Sequence, residues 1–140
     1  MELNECINFL LTKAQHTVFQ YLKNNLAQFG VTPVQYGILK CLWDEDGQTP
    51  KQIARTLSLD GSTITGILDR MENKNLVRRT PDPDDRRTIK VVITDHGFEL
   101  REAIEEVIEE VNKQILGIFT FQEQEQLKFF LEKIAERQIF

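Results

Sequence analysis

Two short stretches of this sequence carry side chains suited to a polyanion. The first, Asp60-Gly61-Ser62-Thr63-Ile64-Thr65-Gly66-Ile67-Leu68-Asp69-Arg70, combines small hydroxyl residues with one arginine. Ser62, Thr63 and Thr65 can contact base edges, thymine methyls or phosphates, and Arg70 is long enough to reach a phosphate. The second, Asp82-Pro83-Asp84-Asp85-Arg86-Arg87, is a polar turn ending in two adjacent guanidiniums. Arginine enters a narrow minor groove, where the negative potential is strongest. Three aspartates on the same turn oppose that use unless they are paired, and Asp85 is placed to brace Arg87.

Charge is distributed to match. Of 17 Lys and Arg and 22 Asp and Glu in 140 residues, nine and six fall between Thr49 and Lys90, leaving eight and sixteen for the rest of a chain of net charge −5. Phosphate contact depends on local charge rather than on the overall balance. Around the two stretches, Thr49, Lys51 and Gln52 at the start of a preceding helix are further candidate contacts, as are Arg78, Arg79 and Lys90 on flanking strands.

Other chemistries find no support in the sequence. It has no phosphate-binding glycine loop, no Ser-His-Asp arrangement and no metal-ligand spacing. Cys6 and Cys41 are the only cysteines and His16 and His96 the only histidines. No catalytic residue, metal or cofactor is therefore expected. The longest apolar runs are far short of a membrane span, and the acidic start Met1-Glu2-Leu3-Asn4-Glu5 is unlike a signal peptide, so a cytoplasmic protein is expected.

The elements that must position these residues follow from periodicity. Ile7, Leu10, Leu11, Ala14, Val18, Tyr21, Leu22 and Leu26 form one helical face between Leu3 and Phe29, ended by Gly30. Thr32-Pro33-Val34-Gln35 and Thr49-Pro50-Lys51-Gln52 are capping boxes with proline at the first helical position. A fourth helix starts near Asp60 and runs to Lys74, with Asn75 as a left-handed terminator. The period then changes: Leu76–Thr80 and Thr88–Thr94 read as strands of a hairpin, a wing behind the helix. From Asp95 a long helix resumes, and Thr120-Phe121-Gln122-Glu123 caps a last one.

The expected fold is mainly α with a small β-wing, a winged helix-turn-helix over residues 32–94 within one domain of residues 1–140. In such folds the second helix of the pair enters the major groove. The outer helices, within residues 1–30 and 95–140, carry apolar faces that one small domain cannot cover, so a homodimer is expected.

These residues resemble the MarR (multiple antibiotic resistance regulator) family over nearly the whole chain. The sharpest match runs through Leu59-Asp60-Gly61-Ser62-Thr63-Ile64-Thr65, Leu68-Asp69-Arg70-Met71-Glu72 and Leu76-Val77-Arg78-Arg79. It continues through the Asp-Asp-Arg-Arg turn into Val91-Val92-Ile93-Thr94-Asp95-His96-Gly97. The resemblance implies a triangular dimer joined by its first and last helices, acting on a pseudo-palindromic DNA operator. It usually implies repression relieved by a small phenolic or hydrophobic effector or by thiol oxidation. His16 and Tyr36 are the candidate polar groups of the effector cavity. Cys6 lies where a hydroperoxide-sensing branch carries its thiol, although that branch has tyrosine where this chain has Pro33. Gly66 stands where a polar or basic residue is common, and Asn75 where glycine is usual. Two other readings are a redox-sensing repressor using Cys6 and a winged-helix module that binds protein rather than DNA.

Overall fold

The structure, a computed structural model, describes residues 1–137. A 3-10 turn (Leu3–Glu5) leads into α1 (Ile7–Leu26), a second 3-10 turn (Ala27–Phe29) and then α2 (Pro33–Asp44), α3 (Pro50–Leu57) and α4 (Gly61–Asn73). The strands β1 (Val77–Pro81) and β2 (Ile89–Ile93) follow, then α5 (Asp95–Glu99), α6 (Arg101–Leu116) and α7 (Phe121–Glu136). The winged helix-turn-helix expected from the sequence is present.

Local chemistry sets the helix starts. Thr32, Thr49 and Thr120 each accept the N–H of the residue three further on, whose side chain reaches back to the threonine N–H. A cap of this kind contributes about 1 kcal/mol. Gly30 at φ 66° and Asn75 at φ 58° take the expected left-handed positions, and Ser58 at φ 56° takes one that the sequence did not reveal. Ser58 closes α3 because Leu59 N–H reaches back to the Ala54 carbonyl at 2.8 Å. That gives the tight turn into α4.

The core lies where α2, α3, α4, the hairpin and α6 converge. Ile38, Leu39, Leu42, Ile53, Ile64, Leu68, Met71, Leu76, Val77, Val91 and Ile104 are fully buried there, joined by Leu26 from the end of α1. Each such side chain contributes about 1.5–3 kcal/mol on leaving water. The antiparallel strands pair Val77 with Ile93 and Pro81 with Ile89. The outer edge of β2 is covered from the α2–α3 connection: Val91 N–H donates to the Gln48 carbonyl at 2.7 Å and Ile93 N–H to Asp46 Oδ1 at 2.8 Å.

Three boundaries differ from the sequence reading. The first helix is shorter than Leu3–Phe29 because its ends tighten into 3-10 turns. The strands start one residue later than expected, since Leu76 N–H still bonds the Met71 carbonyl and Thr88 N–H closes the wing loop onto the Asp85 carbonyl. The long helix from Asp95 breaks at Leu100. There the Trp43 indole N–H donates to the Gly97 carbonyl at 3.1 Å, the acceptor that a continuous helix would pair with Arg101.

Outside this lobe the helices stay uncovered. Leu26 is the only buried residue of α1, and α7 has none. Ile7, Phe9, Leu10 and Phe19 of α1 are exposed, as are Phe121, Phe129, Phe130, Leu131 and Ile134 of α7. The expected limit at residue 140 lies outside the described residues.

Two glycines make a test of the packing. A Cβ on Gly97 would stand 2.3 Å from the Leu76 carbonyl oxygen and 3.0 Å from an Ile93 methyl, whereas one on Gly66 would meet only Arg70 Nη1 at 3.7 Å. Gly97→Ala is expected to lose about 3 kcal/mol or more in urea unfolding, because backbone must move. Gly66→Ala is expected to gain up to about 1 kcal/mol from helix propensity. Equal effects would refute this account of the α5 contact.

Candidate nucleic-acid interface

The exposed face of α4 is built by its own amphipathic spacing. Ile64, Ile67, Leu68 and Met71 point into the core, which turns Ser62, Thr63, Thr65 and Arg70 outward. Asp60 is the N-cap, so Ser62 and Thr63 are not occupied in starting the helix. Thr65 Oγ1 makes only a long 3.4 Å bond to the Gly61 carbonyl. The half-buried Gly66 lies between Thr65 and Arg70, where a Cβ would meet only Arg70 Nη1 in ordinary van der Waals contact, so no packing contact requires glycine there.

The wing loop is held by Asp82 and Asp85 acting on backbone. Asp82 Oδ1 accepts Asp84 N–H at 3.0 Å. The Asp85 carboxylate accepts Arg87 N–H and the Thr88 hydroxyl, each at 3.1 Å. Asp85 thus braces Arg87 through the main chain. The guanidinium is in solvent, its side chain 96% exposed, with Nε in a loose ion pair 3.7 Å from Asp85 Oδ1. Arg86 and Arg78 are exposed, while Lys90 Nζ stands 3.8 Å from Asp82 Oδ2 and is partly neutralised.

Arg79 has a different job from the phosphate contact considered for it. Its Nε donates to Glu72 Oε1 at 2.7 Å, its backbone N–H to the same oxygen at 3.0 Å, and its Nη2 to Asp69 Oδ1. One arginine on β1 therefore clamps the wing to two carboxylates of α4. The bonded guanidinium holds the Glu72 carboxyl below the usual carboxylate range. Asp69 and Glu72 are neutralised on the surface where they would otherwise repel phosphate.

On α3, Thr49 and Gln52 are engaged with each other as a capping box, leaving the amide nitrogen of Gln52 as an outward donor. Lys51 is exposed, and so is Arg55, one turn further along the same face. Arg55 was missed in the sequence although its four-residue spacing from Lys51 marks it. Lys51, Arg55, Gly61 and Thr65 line one groove between α3 and α4. The hydroxyl of Thr65 on α4 and the cations of α3 thus share one groove, and the wing follows α4 in the chain through β1.

The two candidate effector residues are not brought together within one chain. His16 is exposed on α1 in an open depression with Asn8, Leu11, Thr12, Gln15 and Phe19. Tyr36 lines a separate cleft with Lys40, Cys41 and Gln48, its ring 6.3 Å from that of Trp43, and burial pushes its hydroxyl pKa up. Cys6 is half-buried at the start of α1, and Cys41 is buried with its thiol pushed up by desolvation. Among the described residues no group of three or more His, Cys, Asp or Glu is arranged to hold a metal, and no helix is long and apolar enough to cross a membrane.

Comparison with known proteins places this geometry. Residues 31–89 match the model of the MarR family. The chain is 31% identical over 102 residues to the organic hydroperoxide resistance transcriptional regulator of Bacillus subtilis, covering 73% of this chain and 69% of that protein. It is 34% identical over 99 residues to the transcriptional regulator TtmR of Methylorubrum extorquens, covering 71% of this chain but only 51% of that protein. Among solved structures, the repressor CouR bound to a 23-mer DNA duplex superposes with a TM-score of 0.90 at 26% identity, covering 96% of each chain. CouR from Rhodococcus jostii RHA1 bound to p-coumaroyl-CoA superposes with a TM-score of 0.85 at 26% identity, covering 100% and 99% of the two chains.

The clamp on the wing has a pH signature. Because Glu72 ionises more readily in the folded protein, its contribution is complete above the usual carboxylate range and is lost as pH falls through its depressed value. Glu72→Gln is expected to lower stability by less than about 1 kcal/mol at neutral pH, as befits a partly solvated pair. The gap between variant and wild-type urea midpoints should narrow between about pH 7 and about pH 3. A gap that stays constant would refute the ion-pair account.

Proposed function

Since the chain belongs to the MarR family of transcriptional regulators, we propose that it is a sequence-specific DNA-binding regulator, a repressor acting as a homodimer on a pseudo-palindromic operator. The observation that carries the reading is the pairing of an uncommitted hydroxyl face on α4 with a wing loop whose guanidiniums are exposed while the Asp82 and Asp85 carboxylates hold backbone. In this reading α4 enters the major groove, with Ser62, Thr63 and Thr65 at base edges. Arg86 and Arg87 reach the adjacent minor groove, while Lys51, Gln52, Arg55, Arg70, Arg78 and Lys90 meet phosphates. Residues 32–94 form the DNA-binding lobe.

The regions 1–30 and 95–140 form the dimer interface. The apolar faces of α1 and α7 support this, since a second copy is the simplest cover for both. A small aromatic or hydrophobic effector releases the DNA, and the depression around His16 on α1 is its candidate seat, completed by the partner subunit. CouR, which has been captured both with DNA and with an aromatic acyl thioester, supports a regulator of this kind. The reading places the protein in the cytoplasm and gives it no enzymatic role.

Gel shifts on duplexes selected from a random pool, at several salt concentrations, test the reading; no binding at low salt would overturn it and favour a protein-interaction module. Arg87→Ala is expected to weaken binding across sequences and to flatten the log–log salt slope by about one unit. Thr65→Ala should instead alter the preferred bases at one position of each half-site. Sedimentation should show a dimer, and Phe130→Glu should shift it toward monomer.

A further inference from the structure

Lys74 joins parts of the fold that the sequence keeps far apart. Its ammonium donates to the Gly30 carbonyl at 2.7 Å, 44 residues away, and to Gln35 Oε1 at 3.0 Å, 39 residues away. Gln35 is 2% exposed, and the same oxygen accepts Thr32 N–H at 3.1 Å in the capping box of α2. Gly30, at φ 66°, ends the turn that follows α1. Its carbonyl is one of the acceptors that a helix end leaves without a partner, where a cation is favoured. Lys74 is itself the C-cap of α4, its N–H on the Arg70 carbonyl at 3.1 Å, and the left-handed Asn75 follows. Its side chain is therefore a strut from the end of α4 to the α1–α2 junction.

We propose that Lys74 is a positioning residue that fixes the angle of the lobe carrying α4 against the end of α1 and so sets the half-site spacing the dimer accepts. This rests on the DNA-binding reading above. In that reading α1 is held against the partner and α4 lies in the groove, so the strut connects the dimer frame to the reading head. The lever is long enough to matter. At about 1.5 Å per residue α4 is about 20 Å long, so a turn of about 10° about Lys74 by the lobe that carries α4 moves the far end of the helix about 3.5 Å. That is close to the base-pair step of about 3.4 Å. A dimer reads two half-sites at a set separation, and loss of the strut blurs that separation while leaving the contacts within each half-site.

The test uses the full-length protein and a reference duplex enriched by the wild type from a random pool. Companion duplexes carry one base pair more or fewer between the half-sites. Lys74→Met is expected to reduce the preference for the reference over the shifted duplexes by about fivefold or more, with the salt slope unchanged. Lys74→Arg, which keeps charge and donors, should retain the preference. A Lys74→Met protein whose preference stays within about twofold of wild type would overturn the proposal. So would a salt slope flatter by about one unit, which marks a phosphate contact instead. If circular dichroism shows that Lys74→Met does not fold, Lys74→Gln, which keeps a donor but not the reach, is read against the same two outcomes. A wild-type protein that enriches no duplex overturns the DNA-binding reading and this proposal with it, and that arm separates the two failures.

Discussion

The chain reverses at Asn75-Leu76, and the way its two carbonyls are held there fixes most other directions in the molecule. The Thr94 hydroxyl donates to the Asn75 carbonyl at 2.6 Å, with that of Leu76 at 3.0 Å, and Thr94 N–H donates to Leu76 at 3.2 Å. The same hydroxyl accepts Gly97 N–H at 3.0 Å and so starts α5. Gly97 approaches so closely that no side chain fits between it and the Leu76 carbonyl. One buried threonine therefore sets the end of α4, the root of β1 and the entry to α5 together. Trp43 adds α2 to the same point through the Gly97 carbonyl. In a close-packed interior such a junction has little freedom to adjust by degrees, so the angle between helix and wing is a property of the core rather than of the surface.

Electrostatics on the reading face are arranged within that frame. An acidic chain offers phosphate a usable surface only if its nearby carboxylates are occupied. Asp82 and Asp85 are turned onto backbone N–H groups of the wing, and Asp69 and Glu72 onto Arg79. These are short-range, partly solvated interactions of modest energy. Their effect lies in the charge that they remove from one face. Arg86 and Arg87 then remain as exposed cations on a loop whose backbone is ordered, which lowers the entropy lost on inserting them into a groove.

Features set by neighbours in sequence were legible beforehand, and those set by distant partners were not. The threonine capping boxes, the Gly30 and Asn75 terminators and the period change into the hairpin depend on residues within a few positions of each other. The left-handed Ser58 was missed because nothing about serine announces it; the tight turn between α3 and α4 imposes it. The break at Leu100 depends on an indole 54 residues from the carbonyl it holds. Arg79 read as a phosphate ligand because its type is right, and only the fold shows two carboxylates already beside it. Lys74 carried no signal at all, since its acceptors are a backbone carbonyl and an amide on another helix. On the candidate interface, therefore, the residue types were readable and the division between contacts and braces was not.

That division bears on how DNA could be released. A ligand shifts an equilibrium only through unequal affinity for two arrangements, and those arrangements must differ at the reading face. Movement within the lobe of α2, α3, α4 and the hairpin would break the Thr94 junction and the shared core. Movement of the whole lobe against α1 and α6 leaves the Thr94 junction intact and disturbs the shared core only where Leu26 and Ile104 enter it, along with the polar connections at the margin. On the α4 side that margin is the Lys74 strut to Gly30, after the end of α1. On the opposite side it is α2 against α6, where Lys40 stands 3.6 Å from Glu105 and Arg101 reaches the Trp43 carbonyl at 3.5 Å. Long side chains with exposed stems can follow a small rotation that a packed core cannot. In the proposed regulator, the arrangement that spares the Thr94 junction is therefore a turn of the lobe as one body against the outer helices.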